Sequence, residues 1–335
     1  MTSLPRRQRG VALLVALLVV ALAVILIAAL LDRGELAYAR TRNVLRSEQA
    51  DAYAHGLEIY AAQILQASLS LNPGVDTNAS PWALPLPPQP VPGGVISATM
   101  RDLNGCFNLN NLMPPPLGNT NYTTWNAVFK RLLIVQGIDQ GLATSIQNWF
   151  DPSGISVDDN YYFSLPVPYR ASHRSFAHVS ELRLVRGVTG DVYARLAPYV
   201  CALPPNTKIN INTASVPVLR ALGASQLTQA QGERLWQNGQ AYWREVTTLA
   251  DKWNRLDIKI DPALVTQTPL LDVASTYFLA RGEIVLDAVP FTFYSLIERP
   301  RQGLIRVLER SRGSDDALVA PAPLAIDGGK DTTLH

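Results

Sequence analysis

The longest apolar run of the chain lies near its amino end and predicts a membrane helix. Residues 11–31 consist only of Val, Ala, Leu and Ile, and Arg6, Arg7 and Arg9 precede them. A helix of this length spans about 30 Å, the thickness of the hydrocarbon core of a bilayer. Because basic flanks stay on the cytoplasmic side, residues 1–10 are expected in the cytoplasm and the rest of the chain beyond the membrane.

Residues 32–71 are predicted to continue the same helix as an amphipathic segment. They contain no proline and are rich in good helix formers, and their apolar positions recur every three or four residues from Tyr38 to Leu65. The sequence Asn-Pro-Gly at 72–74 ends the pattern. One helix of about 60 residues is therefore expected, with its first half in the membrane and its second half as the spine of an exported domain.

Alternating apolar and polar positions predict a sheet towards the carboxyl end. Residues 75–94 are rich in proline and are expected to form an irregular connection. An antiparallel sheet would lay its apolar face on the helix of residues 32–71. The strands are expected at residues 95–103, 277–286, 291–299 and 304–310.

The middle of the chain, residues 113–268, is predicted to be a helical insertion between the first strand and the others. Thr123 or Thr124 is expected to cap its first helix, Asp139 the second and Thr213 the fifth. Short helices joined by tight turns resemble the compact four- or five-helix modules called SAM-like. The helices are expected at residues 125–133, 142–149, 180–185, 192–196, 214–222, 228–236 and 246–253.

The composition favours neither nucleic-acid binding nor catalysis. The 335 residues carry a net charge of +2 and 17% charged residues, so no strong field favours a nucleic acid. The chain has no Gly-x-Ser-x-Gly, phosphate-loop, His-Glu-x-x-His or Cys-x-x-Cys motif, and its four histidines lack metal-ligand spacing. We therefore expect a protein that is not an enzyme.

The two cysteines, Cys106 and Cys201, lie in the part of the chain that is expected to be exported. Oxidising conditions there favour a disulfide, which would close a long loop and stabilise the fold by about 4 kcal/mol. A reduced pair is the alternative that the sequence leaves open.

The basic leader ends in Gly10, directly before Val11 and the apolar helix, and so resembles a prepilin peptidase site. The resemblance implies cytoplasmic cleavage between these two residues, with the helix left in the membrane. A signal peptide, which has a shorter apolar region, and a plain single-pass anchor are the alternatives. Most pilins carry Glu at the fifth mature position, which is Val15 here. Because it lacks this carboxylate, the chain resembles the K-type minor pseudopilins of type II secretion, which lie at a fibre tip.

Two further motifs resemble the same family. Residues 102–112 (Asp-Leu-Asn-Gly-Cys-Phe-Asn-Leu-Asn-Asn-Leu) are similar to the K-type signature, and residues 209–214 (Ile-Asn-Ile-Asn-Thr-Ala) match the start of its second helical module. Alternating asparagines are expected to bond nearby backbone and hold an irregular loop.

The resemblance implies an α+β, type IV pilin-like fold. A long N-terminal helix, with a single transmembrane part, would pack on an antiparallel sheet, and a large α-helical SAM-like domain would be inserted. The expected parts are a leader (1–10), the transmembrane (11–31) and periplasmic (32–71) halves of the helix, the first part of the pseudopilin domain (72–112), the insertion (113–268), the C-terminal sheet (269–312) and a disordered tail (313–335).

An acidic loop is the best candidate metal site. Asp151, Asp158 and Asp159 crowd oxygen ligands near a glycine, and calcium takes about six to eight oxygens. The loop resembles the calcium loop of the K-type family, although it is shorter and has Asp158 where Glu is usual. A solvated acidic turn that caps a helix is the alternative. The matching positions are Trp149, Asp151, Pro152, Asp159, Tyr161 and Tyr162.

The resemblance implies a minor pseudopilin that caps or nucleates the pseudopilus for export of folded proteins across the outer membrane. Its expected partners are the I- and J-type minor pseudopilins, other pseudopilus subunits, prepilin peptidase and the inner-membrane assembly platform. The chain would cross the inner membrane once, with its bulk in the periplasm.

A membrane-anchored, periplasmic DNA-binding protein of a competence apparatus is the alternative. The Asn-Thr-Ala motif at residues 212–214 also begins helix-hairpin-helix domains, but the Gly-rich hairpin that would face phosphate is missing here. No nucleic acid is therefore expected as a partner.

Overall fold

The structure is a computed structural model that describes residues 7–151, 153–154, 156–266 and 269–313. The first six residues of the expected leader, Pro152 of the expected metal loop and the expected tail beyond residue 313 lie outside this part of the chain. The described residues form the mixed helix-and-sheet fold that the sequence predicts.

A single helix, α1 (Arg7–Leu71), forms the spine of the fold. Among the described residues it is the one helix long and apolar enough to cross a membrane. Further along, Ala50, Leu57, Ala61 and Leu65 lie on one face of α1 and are buried, because their spacing repeats with the helical turn. The prediction of one continuous helix with an amphipathic second half is confirmed.

The strands fall into one large sheet and two short pairs. The large antiparallel sheet contains the first two strands and the last three, and each of the two short pairs is parallel. The four strands that the sequence predicts are confirmed, with bounds shifted by at most two residues. The strands are β1 (Leu86–Val91), β2 (Gly94–Asp102), β3 (Phe107–Asn108), β4 (Val200–Cys201), β5 (Ile209–Asn210), β6 (Leu271–Asp272), β7 (Tyr277–Leu286), β8 (Val289–Glu298) and β9 (Arg306–Arg312).

The large sheet, in the order β1-β2-β7-β8-β9, packs its apolar face on α1. Leu65 packs with Phe278 and Ile297 in one buried cluster. Gly282 lies beneath Leu57, where a Cβ atom would come within 2.9 Å of the leucine side chain. Glycine at this position therefore lets the helix approach the sheet closely.

The sequence does not predict β1, because Pro87, Pro88 and Pro90 lie within it. A residue without a backbone N–H is tolerated in an edge strand, and β1 pairs only with β2. Its pairing register shifts between Leu86 and Gln89. The prediction that residues 75–94 are wholly irregular is therefore wrong.

The insertion between β2 and β7 is helical, as predicted. Its buried faces form the largest apolar cluster of the described residues, which includes Trp125, Phe129, Trp149 and Trp253. A 3₁₀ helix at Val179–Leu184 stands where residues 180–185 are predicted to be helical. The α-helices are α2 (Tyr122–Val135), α3 (Leu142–Phe150), α4 (Asp159–Phe163), α5 (Gly190–Leu196), α6 (Val216–Ala221), α7 (Gln229–Trp236) and α8 (Leu249–Asn254).

The start of α2 differs from its prediction. The helix follows Asn121, so Thr123 and Thr124 lie inside its first turn and do not cap it. The prediction that Asp139 caps α3 is also wrong, because Gly141 holds the N-cap position and Asp139 only accepts a hydrogen bond of 2.7 Å from the N–H of Gly141. Helix boundaries set by a single polar side chain are the least certain part of a sequence prediction, because several neighbouring residues can take that role.

Candidate functional site

The insertion joins the sheet at a buried polar cluster centred on Asp102, the last residue of β2. Its carboxylate accepts hydrogen bonds from Oγ of Ser275 at 2.6 Å, from Nδ2 of Asn210 at 3.3 Å and from the N–H of Asn104 at 2.7 Å. The hydroxyl of Thr213 also donates to it. Burial raises the pKa of Asp102 to about 6, even though the hydrogen bonds from Ser275, Thr213 and Asn104 lower it. The cluster connects the end of β2 to both ends of the second half of the insertion.

The contact with Asp102 corrects the role predicted for Thr213. The N-cap position of α6 is held by Ser215, and Pro217 lies in the first turn, as expected. Thr213 does not cap this helix because its hydroxyl is engaged by the buried carboxylate of Asp102.

A second buried contact fixes the carboxyl end of α1. Arg299 forms a salt bridge with Asp76, and both side chains are almost fully buried. The guanidinium also donates to the carbonyl oxygens of Ser275 at 2.9 Å and Leu65 at 3.4 Å, and it lies 4.8 Å from the ring centroid of Phe278. Further hydrogen bonds such as these two offset the cost of taking a buried ion pair out of water. It holds α1, the sheet and the junction in one arrangement.

The asparagines of the signature run bind backbone that is distant in the sequence. Asn110 donates to the carbonyl oxygens of Phe176 and Leu203, each at 2.9 Å, and accepts from the N–H of Phe176 at 2.8 Å. Asn108 accepts from the N–H of Leu203 at 2.9 Å and donates to the carbonyl of Pro204 at 2.9 Å. Their structural role agrees with expectation, but most of their partners lie in another part of the insertion, because the loop is buried beneath it.

A disulfide joins Cys106, at the start of this run, to Cys201 in β4, with the Cα atoms 5.9 Å apart. Both residues are buried. The bridge lies beside the parallel pairing of Phe107 with Val200 and of Asn108 with Cys201. It therefore links the start of the insertion covalently to its middle.

The acidic loop brings its carboxylates to different partners. Asp158 is buried; it accepts from Arg186 at 2.7 Å and from Asn148 at 3.0 Å. Asp151 accepts from the N–H of Ser153 at 2.9 Å. Because an arginine already neutralises Asp158, this carboxylate is not free to bind a metal ion in the arrangement observed.

Asp159 has one carboxylate oxygen that the loop leaves without a hydrogen-bond partner. Its Oδ2 accepts from the N–H of Ser156 at 3.0 Å, whereas its Oδ1 is buried with no hydrogen-bond partner among the described residues. Within the same residues, no group of three or more His, Cys, Asp or Glu side chains is positioned to hold a metal ion. Calcium at Asp151, Asp158 and Asp159 therefore stays a prediction, supported by one unpartnered oxygen.

The expected processing site lies within α1. Residues 7–10 are helical, and Val11 continues the helix with an exposed side chain. The bond between Gly10 and Val11 thus precedes the apolar segment directly, as the sequence predicts, and its cleavage stays a prediction.

Sequence reasoning missed the buried charged residues Glu58, Asp76 and Arg299, and the exposed Arg310 that pairs with Glu58. Each pairs with a residue far along the chain, such as Asp76 with Arg299 and Glu58 with Arg310. A weak signal exists for Glu58 and Arg310, which lie within a helix and a strand. A charge at an otherwise apolar position of such an element suggests a buried partner. The sequence does not say which partner that is.

Comparison with known proteins gives a consistent result across the chain. Residues 105–205 match the family model "Type II secretion system (T2SS), protein K". The chain is 37% identical to type II secretion system protein K of Pectobacterium carotovorum over 330 residues, which is 92% of this chain and 97% of that protein. It is 33% identical to the protein of the same name from Pseudomonas aeruginosa, covering 97% of this chain and 98% of the relative.

The fold also matches a solved structure, the crystal structure of the GspK-GspI-GspJ complex from the type 2 secretion system of enterotoxigenic Escherichia coli. The TM-score is 0.70 at 28% sequence identity, and the match covers 82% of this chain and 99% of the chain in that structure. Sequence and fold therefore point to one family over nearly the whole length.

Proposed function

This chain belongs to the type II secretion system protein K family, and we propose that it stands at the tip of the pseudopilus, where it caps the fibre or starts its assembly. Its role as a minor pseudopilin of type II secretion follows from the family and from the fold it shares with the related complex. The observation that supports the tip position is the combination of a long pilin-like N-terminal helix with a helical domain inserted after Asp102.

The apolar helix supports the tip position. A carboxylate in the membrane is costly and is retained where a partner requires it. The fifth residue counted from Val11 is Val15, which offers no carboxylate to the terminal amine of a neighbouring subunit. A subunit with nothing above it does not need that pairing.

We propose the I- and J-type minor pseudopilins as direct partners, as in the related complex. The surface that fits them is the uncovered side of α1, where Val44, Leu45 and Ile59 are exposed. Apolar side chains of this kind are typical of helix–helix interfaces between subunits. Other pseudopilus subunits, prepilin peptidase and the assembly platform follow from the same role.

We propose that the helix spans the inner membrane once and that the sheet and insertion lie in the periplasm. The basic flank at Arg7 and Arg9 favours a cytoplasmic amino end. The disulfide between Cys106 and Cys201 is consistent with an oxidising compartment.

We infer a structural subunit and not a catalyst, because the family's role is assembly. The competence-type DNA-binding alternative is not favoured, since similarity to protein K extends over 92% of the chain and is not confined to the Asn-Thr-Ala phrase.

We propose calcium as a ligand of the acidic loop, held by Asp159 and Asp151, while Asp158 stays with Arg186. The unpartnered Oδ1 of Asp159 supports this assignment. The ion would supply positive charge to hard oxygen ligands and so fix the loop.

Co-expression with the I- and J-type subunits of the same bacterium tests the function. We expect the full-length chain to co-purify with both from detergent-solubilised membranes. The variant Val44→Asp with Leu45→Asp should lose this association, whereas Leu304→Asp, at a highly exposed loop position outside α1, should keep it. A wild-type chain that elutes without either subunit would contradict the proposal.

A further inference from the structure

A cavity lies between the large sheet and the insertion, on the face of the sheet that points away from α1. Leu279 and Leu296 form part of its wall on the side of the sheet. Their neighbours Phe278 and Ile297 point the other way and pack on α1, because successive side chains of a strand alternate between the two faces. We call this space the Arg101 cavity, after the charged residue of β2 that lines it. Ligand sites commonly occur where two structural units meet.

The walls of the Arg101 cavity are mainly apolar and well fixed. On the side of the insertion, Val200 and Cys201 of β4 line it, and Cys201 is held by its disulfide to Cys106. Leu103 packs with both cysteines in one buried cluster. The cavity has a volume of about 50 Å³, which is room for about four atoms the size of a water oxygen. A ligand of this site is therefore small, or inserts only one end.

Arg101 brings a positive charge without adequate acceptors to this apolar space. Its Nη2 donates one long hydrogen bond, of 3.3 Å, to the carbonyl oxygen of Pro198, and its Nη1 is buried without an acceptor among the described residues. Burial lowers the pKa of Arg101 below its ordinary value, although the charge of Asp102 raises it. A guanidinium has five N–H donors, so most of its hydrogen-bonding capacity is unused here.

Two carboxylates near this row of the sheet leave Arg101 without an acceptor. Asp102 follows it on β2, so its side chain points to the other face of the sheet, where it accepts from Ser275 and Asn210. Glu309 lies in the same row of side chains as Arg101, but three strands away on β9, and it is exposed. Three strand spacings are about 14 Å, which exceeds the screening length at physiological salt. Glu309 therefore does not cancel the charge of Arg101.

We propose that the Arg101 cavity binds a small carboxylate with an apolar body, with the carboxylate at Arg101 and the body against Leu279 and Leu296. A guanidinium matches a carboxylate with two parallel N–H donors, and the long arginine side chain can turn towards one. The apolar walls disfavour phosphate and sulfate, because apolar groups cannot replace the water around a doubly charged ion. A short free acid and the C-terminal residue of a peptide share the chemistry of this ligand.

The test uses the full-length chain in phosphatidylcholine nanodiscs, with butyrate as the probe. Saturation-transfer difference NMR should give a saturable signal for the methyl group of butyrate, and empty nanodiscs should give none. Butylamine and butanol have the same carbon chain and should bind at least about tenfold more weakly, because neither offers a negatively charged acceptor to Arg101. Sodium phosphate at the concentration of butyrate should not displace it.

Variants of the lining residues test the assignment to Arg101. Arg101→Met removes the charge and should weaken butyrate at least about tenfold, whereas Arg101→Lys should retain much of the binding because the positive charge remains. Ala202→Leu is an independent variant, since a larger side chain at this lining position would fill the cavity and abolish binding. The matched control is Arg306→Met on the same sheet. Arg306 lies outside the cavity and pairs with Glu298, so its loss should leave butyrate binding unchanged.

Two peptides distinguish the two sources of the carboxylate. Displacement of butyrate by acetyl-Gly-Gly-Val with a free carboxylate would assign the site to chain ends, and a failure of this peptide to displace butyrate would assign it to free acids. Both results support a carboxylate site. Displacement by the C-terminal amide of the same peptide would count against the proposal, because the amide offers no charge to Arg101.

A wild-type chain that gives no butyrate signal would overturn the proposal, and so would equal binding of butyrate and butylamine. Undiminished binding by Arg101→Met, in a variant that unfolds at the wild-type temperature, would also overturn it. If Arg101→Met does not fold, Ala202→Leu decides, and butyrate binding by a folded Ala202→Leu chain would contradict the site. The proposed function is tested separately, by co-purification with the I- and J-type subunits, and does not depend on these results.

Discussion

Glu58 of α1 and Arg310 of β9 form a two-point ion pair across 252 positions of sequence, with nitrogen–oxygen distances of 2.6 and 2.7 Å. Ser295 of β8 donates to the same carboxylate at 2.7 Å. Burial raises the pKa of Glu58, but the hydrogen bonds from Arg310, Ser295 and His55 outweigh burial and lower that pKa below its ordinary value. The pair therefore fixes the helix against the last two strands.

Arg310→Met should lower the free energy of unfolding by about 1–3 kcal/mol, because it leaves a buried carboxylate short of donors. Thermal unfolding of the full chain in nanodiscs measures this. Arg306→Met on the same strand is the control, since Arg306 pairs with Glu298 at the surface and should cost less. Equal losses of unfolding free energy in the two variants would contradict this role of the pair between Glu58 and Arg310. Since the folded pKa of Glu58 is lowered, the effect should be full above its ordinary pKa and fade as pH falls below it.

The pH dependence of stability that Asp102 contributes should be opposite in direction to that of Glu58, and Asp102→Asn should remove it. The folded pKa of Asp102 is about 6, above its ordinary value, so the folded chain binds the extra proton and wild type loses stability as pH rises from about 4 to 6. Relative to wild type, the variant should gain up to about 3 kcal/mol between pH 4 and pH 7. Asp191→Asn, at an exposed position, should show no such trend. A pH-independent difference between Asp102→Asn and wild type would refute this role.

Removing the disulfide should destabilise the junction. Cys106→Ser with Cys201→Ser opens a loop with a sequence separation of 95 residues and should lower the free energy of unfolding by about 2–5 kcal/mol. Urea unfolding of the full chain checks this, with wild type refolded in reductant as the control. The reduced wild type should match the double variant, and a double variant as stable as the oxidised protein would contradict the prediction.

Calcium should raise the melting temperature of wild type, whereas magnesium should not. At a concentration of 100 times Kd the ion would contribute about 2.7 kcal/mol. Asp159→Asn should abolish the shift because it removes the unpartnered oxygen, and Asp191→Asn should keep it. An unchanged melting temperature of wild type in calcium would contradict the assignment of calcium to Asp159 and Asp151.

The parts of the fold set by local periodicity could be predicted from the sequence. The spacing of Leu57, Ala61 and Leu65 predicts the buried face of α1, and alternation predicts β7 from Tyr277 to Leu286. β1 could not be predicted, because its prolines suppress the strand pattern and only the edge position in the sheet tolerates them.

The junction could not be predicted because its contacts are between distant residues. Thr213 has the features of a helix cap in the sequence, yet it bonds Asp102, which lies 111 positions earlier. Asp76 and Arg299 are 223 positions apart and each looks like an ordinary surface charge in its own segment. The local preference of a threonine for capping a helix is overridden where a buried carboxylate accepts the hydrogen bond of its hydroxyl.

Intact mass and N-terminal sequencing of the chain from membranes, with and without prepilin peptidase, test the pseudopilin account most directly. We expect a chain that begins at methylated Val11 only when the peptidase is present. Gly10→Leu should stay uncut, and Gly34→Leu, at a position with open space around it, should be cut normally. An uncut Met1 in the presence of the peptidase, or a cut near residue 32 or beyond, would contradict the account.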